Sequence, residues 1–87
     1  MASIEWSTGA ISDLGKIDIV IARRILFKIS WFGENFSSTI PEKLHGSLRG
    51  LYKFRVGDYR IIYSLEEMRT IIIQAIGHRR EVYKNIR

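Results

Sequence analysis

The segment from Leu51 to Tyr63, LYKFRVGDYRIIY, constrains the fold more than any other part of the chain. Residues alternate with period two on both sides of Gly57-Asp58, the pattern of a β-hairpin closed by a two-residue loop. That loop sets Val56 opposite Tyr59, Arg55 opposite Arg60, Phe54 opposite Ile61, Lys53 opposite Ile62 and Tyr52 opposite Tyr63. One face then carries Tyr52, Phe54, Val56, Tyr59, Ile61 and Tyr63, and the other Lys53, Arg55 and Arg60. Two arginines directly opposed repel each other, so the pair costs stability unless something anionic lies across it. A polyphosphate backbone fits that requirement.

The rest of the chain supplies one small domain over residues 1–87. Ser3 to Trp6 reads as a short strand with Ile4 and Trp6 on one face. Ser7 or Thr8 can cap a helix from about Thr8 to Leu14, which Gly15-Lys16 breaks. Asp18 can cap a second helix running to about Gly33, with Ile21, Ile25, Ile29 and Phe32, plus Ala22 and Leu26, as a wide apolar stripe. Its other positions include Arg23, Arg24 and Lys28, read as a solvated basic side. Asn35 to Pro41 is a polar loop, and Pro41-Glu42-Lys43-Leu44 reads as a short turn. Beyond the hairpin, Glu66-Glu67 is the next turn and Thr70 to Ile76 a β-branched strand. His78 to Arg87 closes the chain as a short helical tail. The fold class expected is α+β, a small antiparallel sheet with two N-terminal helices packed on one face.

Strand parity enlarges the basic face. A two-residue turn at Glu66-Glu67 pairs Arg60 with Ile73, so that Ile73, Ala75, Gly77 and Arg79 share the face of Arg60. The small residues Ala75 and Gly77 then leave room above the sheet, and an odd residue count in that turn breaks the inference. Lys53, Arg55, Arg60 and Arg79 around one open patch suit a scissile phosphate, because they bind the backbone and stabilise charge on a pentacoordinate phosphorane. In RNA the 2′-OH supplies the nucleophile. His78 and Tyr83 lie close in sequence as candidates for proton transfer or base stacking. Tyr83 reads almost equally well as a residue packing the tail on the sheet. His45, Trp6 and Trp31 read as structural.

Composition narrows the alternatives. With 14 Lys+Arg against 9 Asp+Glu the formal charge is +5, which favours nucleic acid, an acidic protein or an anionic surface. There are no cysteines, so thiolate catalysis, disulfides and Cys-based zinc sites are excluded. No HExxH, Walker or GxGxxG pattern occurs, and no metal or nucleotide cofactor is expected. The N-terminus, MASIEWSTGA, has neither a basic n-region nor an apolar h-region, and no apolar run approaches a membrane span, so a cytoplasmic protein without a membrane partner is expected.

The block LHGSLRGLYKFRVGDYRIIY followed by IGHRREVY resembles the RelE/ParE superfamily of toxins from type II toxin–antitoxin pairs, and the resemblance covers almost the whole chain. It implies a RelE-like fold and, for RelE-type members, a metal-independent, ribosome-dependent mRNA endonuclease that inhibits translation. On that resemblance Lys53 and Arg55 match two basic positions of the first hairpin strand. Arg60 matches the arginine after the turn, Arg79 the arginine after the Gly-X step, and Tyr83 the C-terminal tyrosine. Arg49, His78, Arg80 and Lys84 are the further side chains expected to contact RNA. Arg55 stands where the best-known type has lysine, and the segment from Arg79 to Tyr83 is shorter than in that type. The partners implied are a small acidic antitoxin, the ribosome and mRNA, with operator DNA reached only through the antitoxin complex. ParE-like inhibitors of DNA gyrase share the fold and form the alternative, and a non-catalytic nucleic-acid-binding module is a third reading.

Overall fold

A computed structural model describes residues 1–84 and Ile86. The chain runs β1 (Ser3–Trp6), α1 (Thr8–Gly15), α2 (Ile19–Glu34), β2 (Glu42–Lys43), β3 (Tyr52–Val56), β4 (Tyr59–Glu66) and β5 (Thr70–His78). A 3-10 turn at Val82–Lys84 follows. The helical tail expected over His78 to Arg87 is therefore one short turn, and its ends at Asn85 and Arg87 lie outside the described residues. The five strands form one sheet in the order β1-β5-β4-β3-β2. The α+β class is as expected, but β1 joins parallel to β5 and the segment read as a turn at Glu42-Lys43 is an extra edge strand. No helix among the described residues is long and apolar enough to cross a membrane.

The β3–β4 hairpin has the register read from its alternation, including Arg55 opposite Arg60. Gly57 takes φ +59 at the first loop position, a left-handed conformation that other residues reach only with strain. The β4–β5 connection differs from expectation. Its ladder begins at Glu66 opposite Thr70, so the loop holds the three residues from Glu67 to Arg69 rather than two. A β-bulge between Tyr63–Ile73 and Ile62–Ala75 adds Gln74 as an unpaired residue. Arg60 consequently faces Gly77, not Ile73. Two odd offsets cancel: beyond the bulge Ala75 and Gly77 do share the face of Arg60, whereas Ile73 turns to the other face and joins the helix-side core.

That core is built by α2 on the face of Tyr63 and Ile61. Ile25, Ile29 and Phe32 are buried, each worth about 1.5–3 kcal/mol of apolar burial. Phe32 stacks on Phe54 at 4.3 Å between centroids and meets Tyr63 edge-on at 5.3 Å, while Tyr52 and Tyr63 stack at 5.4 Å. Leu26, counted in the apolar stripe from its spacing, is exposed, because it lies beyond the arc that the sheet covers. Gly33 lets α2 close on β1, since a Cβ there would sit 3.0 Å from Ile4 Cδ1.

Helix α1 continues the work of β1 along the edge of β5. The Ser7 N–H donates to Ile73 O at 2.9 Å, and the Ser7 hydroxyl donates to Gln74 O at 3.2 Å while capping α1 by accepting from the Ala10 N–H. One turn on, the buried Asp13 carboxylate accepts from the Ile76 N–H at 3.1 Å. Backbone groups that β1 is too short to pair are thereby satisfied by side chains of a helix. Asp18 caps α2 in the usual manner, accepting from the Val20 N–H.

Candidate active site

The face of the sheet away from the helices divides into two parts. Its centre is apolar: Ile62, Ala75 and Val82 are fully buried together, with Leu44, Leu51 and Ile86 packed around them. The small side chain of Ala75 does leave room above the sheet, but the tail residue Val82 fills it, so this space is not open to a ligand. Burial of Val82 in turn fixes the position of Tyr83, whose hydroxyl accepts a hydrogen bond from Arg60 Nη1 at 3.1 Å. Tyr83 itself is 37% exposed, so the preceding Val82 anchors the tail and the tyrosine faces outward.

Beside this apolar centre is an open pocket of about 150 Å³ lined by Glu42, Lys53, Arg55 and Arg60. Cross-strand pairing creates it. Glu42 lies opposite Lys53 between β2 and β3, and Arg55 opposite Arg60 between β3 and β4. Lys53 Nζ is 3.3 Å from Glu42 Oε2. The Glu42 side chain remains 71% accessible, so this pair contributes only about 0–1 kcal/mol to stability. Arg60 Nε is buried and has no hydrogen-bond partner among the described residues. An orphaned buried donor costs about 1–3 kcal/mol, and an anion entering the pocket would relieve it.

Three of the four expected cations thus meet at one place. Arg79 is exposed and does not line the pocket; its backbone N–H extends the ladder by donating to Asp58 O at 2.8 Å. His78 pairs with Tyr59, meets its ring edge-on at 5.7 Å and lines a cavity with Asp13 and Lys16 on the helix side of the sheet. It therefore lies across the sheet from Arg60, because adjacent strand residues alternate faces. His78 Nδ1 accepts from the Arg80 N–H. Arg49, Arg80 and Lys84 are exposed. His45 and Trp31, read as structural, are both exposed, whereas Trp6 packs against the core.

The residue that sequence reasoning missed is Glu42. Its strand has two residues, too few for any alternation to register, and the preceding proline favours a turn reading. With it the pocket holds a carboxylate among cations. Nearby, burial and then the proximity of Tyr52 and Glu42 push the Tyr63 phenol well above its ordinary value. Among the described residues no group of three His, Cys, Asp or Glu is placed to hold a metal ion.

Comparison with known proteins decides the family. The sequence profile described as ParE toxin of type II toxin-antitoxin system, parDE, matches residues 4–83. The chain belongs to this toxin family. No curated protein matches it. The fold is that of solved RelE-type structures. The RelBE2 toxin–antitoxin complex of Mycobacterium tuberculosis superposes with a TM-score of 0.77 at 24% identity, covering 88% of this chain and 96% of that one. The isolated Escherichia coli RelE toxin gives 0.70 at 18% identity, covering 90% and 84%. YoeB of Staphylococcus aureus, solved as a dimer, gives 0.60 at 24% identity, covering 83% and 90%. The chain is thus a toxin of the RelE/ParE superfamily.

Proposed function

We propose that this toxin is a metal-independent endoribonuclease that cuts mRNA on the ribosome. The observation that carries the reading is the pocket lined together by Lys53, Arg55, Arg60 and the carboxylate of Glu42, which Lys53 contacts. Three cations offset the charge of a phosphodiester and of the dianionic phosphorane formed from it. The orphaned Arg60 Nε–H is a donor for a non-bridging oxygen.

The chemistry follows from the groups present. The 2′-OH attacks the adjacent phosphorus while Glu42 accepts its proton, and Lys53 holds the carboxylate in place. The P–O5′ bond breaks, and the leaving 5′-oxygen takes a proton from Tyr83. Arg60 donates to the Tyr83 oxygen, which leaves the phenolic hydrogen free to be transferred and stabilises the negative charge left behind. The products are a 2′,3′-cyclic phosphate and a 5′-hydroxyl. Arg49, Arg79, Arg80 and Lys84, all exposed, are placed in the role of binding RNA phosphates outside the pocket. His78 lies on the helix side of the sheet, and this reading gives it no part in that binding.

The partner expected is a small acidic antitoxin that neutralises this +5 chain. Operator DNA would be bound by the toxin–antitoxin complex through the antitoxin. The test is primer extension on a translated mRNA with ribosomes and purified toxin. Cleavage that disappears in Glu42→Gln and Arg60→Ala supports the reading, and an intact message contradicts it. A second reading, inhibition of DNA gyrase, is favoured by the ParE profile match. Gyrase supercoiling blocked by the toxin with mRNA left whole would select it.

A further inference from the structure

A cleft of about 420 Å³ lies on the same face of the sheet as the basic pocket, beyond the apolar centre. Leu51 and Ile86, which pack on Ile62, Ala75 and Val82, give it apolar sides. Ser7, Thr8 and Gly9 close it at the start of α1, and Gln74 supplies a side-chain amide. The β-bulge accounts for that amide. Gln74 is the residue left unpaired in the ladder, and a bulge re-aims the side chain it carries. The Gln74 carbonyl accepts from the Ser7 hydroxyl at 3.2 Å, and its Nε2 donates to the Ser64 hydroxyl at 3.1 Å. Backbone and side chain are thus both held in place before a ligand arrives, which lowers the entropy cost of binding one. The amide retains Oε1 and one N–H without a hydrogen bond among the described residues.

We propose that this cleft takes one nucleobase of the RNA substrate and that Gln74 reads its edge, an inference that rests on the nuclease reading above. A base has two apolar faces and a rim of donors and acceptors. It fits between aliphatic side chains with its rim against an oriented amide. The acceptor and donor that Gln74 leaves open can meet a base edge with two hydrogen bonds. Ser64, which holds the amide, lies four residues along β4 from Arg60, about 13 Å away. A single strand spans that distance in a few nucleotides, so the base read lies near the cut but not at it. Gln74 is thereby a specificity residue, separate from the groups that act on the phosphate.

Two measurements test it. In the first, the full chain labelled with ¹⁵N is titrated with each of the four nucleoside 5′-monophosphates. At least one is expected to shift the side-chain amide of Gln74 and the backbone amides of Gly9 and Leu51, and Gln74→Leu should weaken it about fivefold or more. In the second, cuts in a ribosome-bound message are mapped by primer extension. The parent should favour one base at a fixed offset from the cut, and Gln74→Leu should flatten that preference. Gln74→Glu replaces the donor with a second acceptor, so the favoured base should become guanine, whose N1–H and N2–H donors lie side by side. This variant also keeps an acceptor for Ser64, so it tests the site even where Gln74→Leu fails to fold. Nucleotide shifts confined to Lys53, Arg55 and Arg60 would overturn the proposal, as would an offset preference untouched by both substitutions. A message left whole while a nucleotide still occupies the cleft would count against the nuclease reading alone and support the cleft as a base site.

Discussion

Val82→Ala is the substitution that most directly probes how the tail is held. Val82 is fully buried against Ile62 and Ala75, and the next residue places its hydroxyl on Arg60. The substitution removes two methyl groups at about 0.8 kcal/mol each, and incomplete collapse of the space adds a fraction more, for about 2 kcal/mol in all. In a domain of this size each kcal/mol moves the melting temperature by about 4–8 °C, so a fall of about 8–16 °C is expected in calorimetry. Urea unfolding should give a lower midpoint with an unchanged slope. Cleavage should fall as well, because a looser tail places Tyr83 less accurately. A melting temperature within about 2 °C of the parent would refute the packing argument, since it would mean that the tail opens apart from the cooperative core.

Other substitutions separate stability from chemistry. Glu42→Gln should change stability by no more than about 1 kcal/mol yet lower cleavage by about 10²–10⁴-fold, measured as kcat on an RNA substrate. Glu67→Gly should stabilise the fold by about 0.5–1 kcal/mol in urea unfolding. It removes left-handed strain of about 1–2 kcal/mol at φ 54 and adds a glycine entropy cost of about 0.5–1 kcal/mol. Tyr63 has a phenol raised above its unfolded value by burial, so the folded state keeps a proton that the unfolded state loses. Stability should therefore decline as pH rises past about 10, and Tyr63→Phe should flatten that decline in an alkaline melting series.

The hairpin was legible because each of its residues reports the same geometry. Two-residue loop chemistry at Gly57-Asp58 and strict alternation leave one register, and Arg55 faces Arg60 as read. The β4–β5 pairing was not legible, because its turn forms at Glu67-Met68 with no glycine to mark it and its bulge at Gln74 has no sequence signature. Parity survived for Ala75 and Gly77 only because two offsets cancelled, and Ile73 shows the face that either error alone would have given. Lys53, Arg55 and Arg60 were recoverable from one strand pair. Glu42 was not, because its place depends on a two-residue strand held by tertiary pairing. His78 ends β5 and alternation with Gly77 puts it on the helix side, whereas Arg79 follows the strand, where the chain reverses and alternation no longer applies.

The central claim is that Glu42 and the cations around it cleave RNA. It is tested most directly by primer extension on a ribosome-bound message with the parent toxin, Glu42→Gln, Arg60→Ala and Tyr83→Phe side by side. Expected are cuts with 5′-hydroxyl ends for the parent, about 10²-fold or greater losses for the three variants, and unchanged folding for Glu42→Gln. A message left intact by folded parent toxin, or cuts made equally well without Glu42, would contradict it.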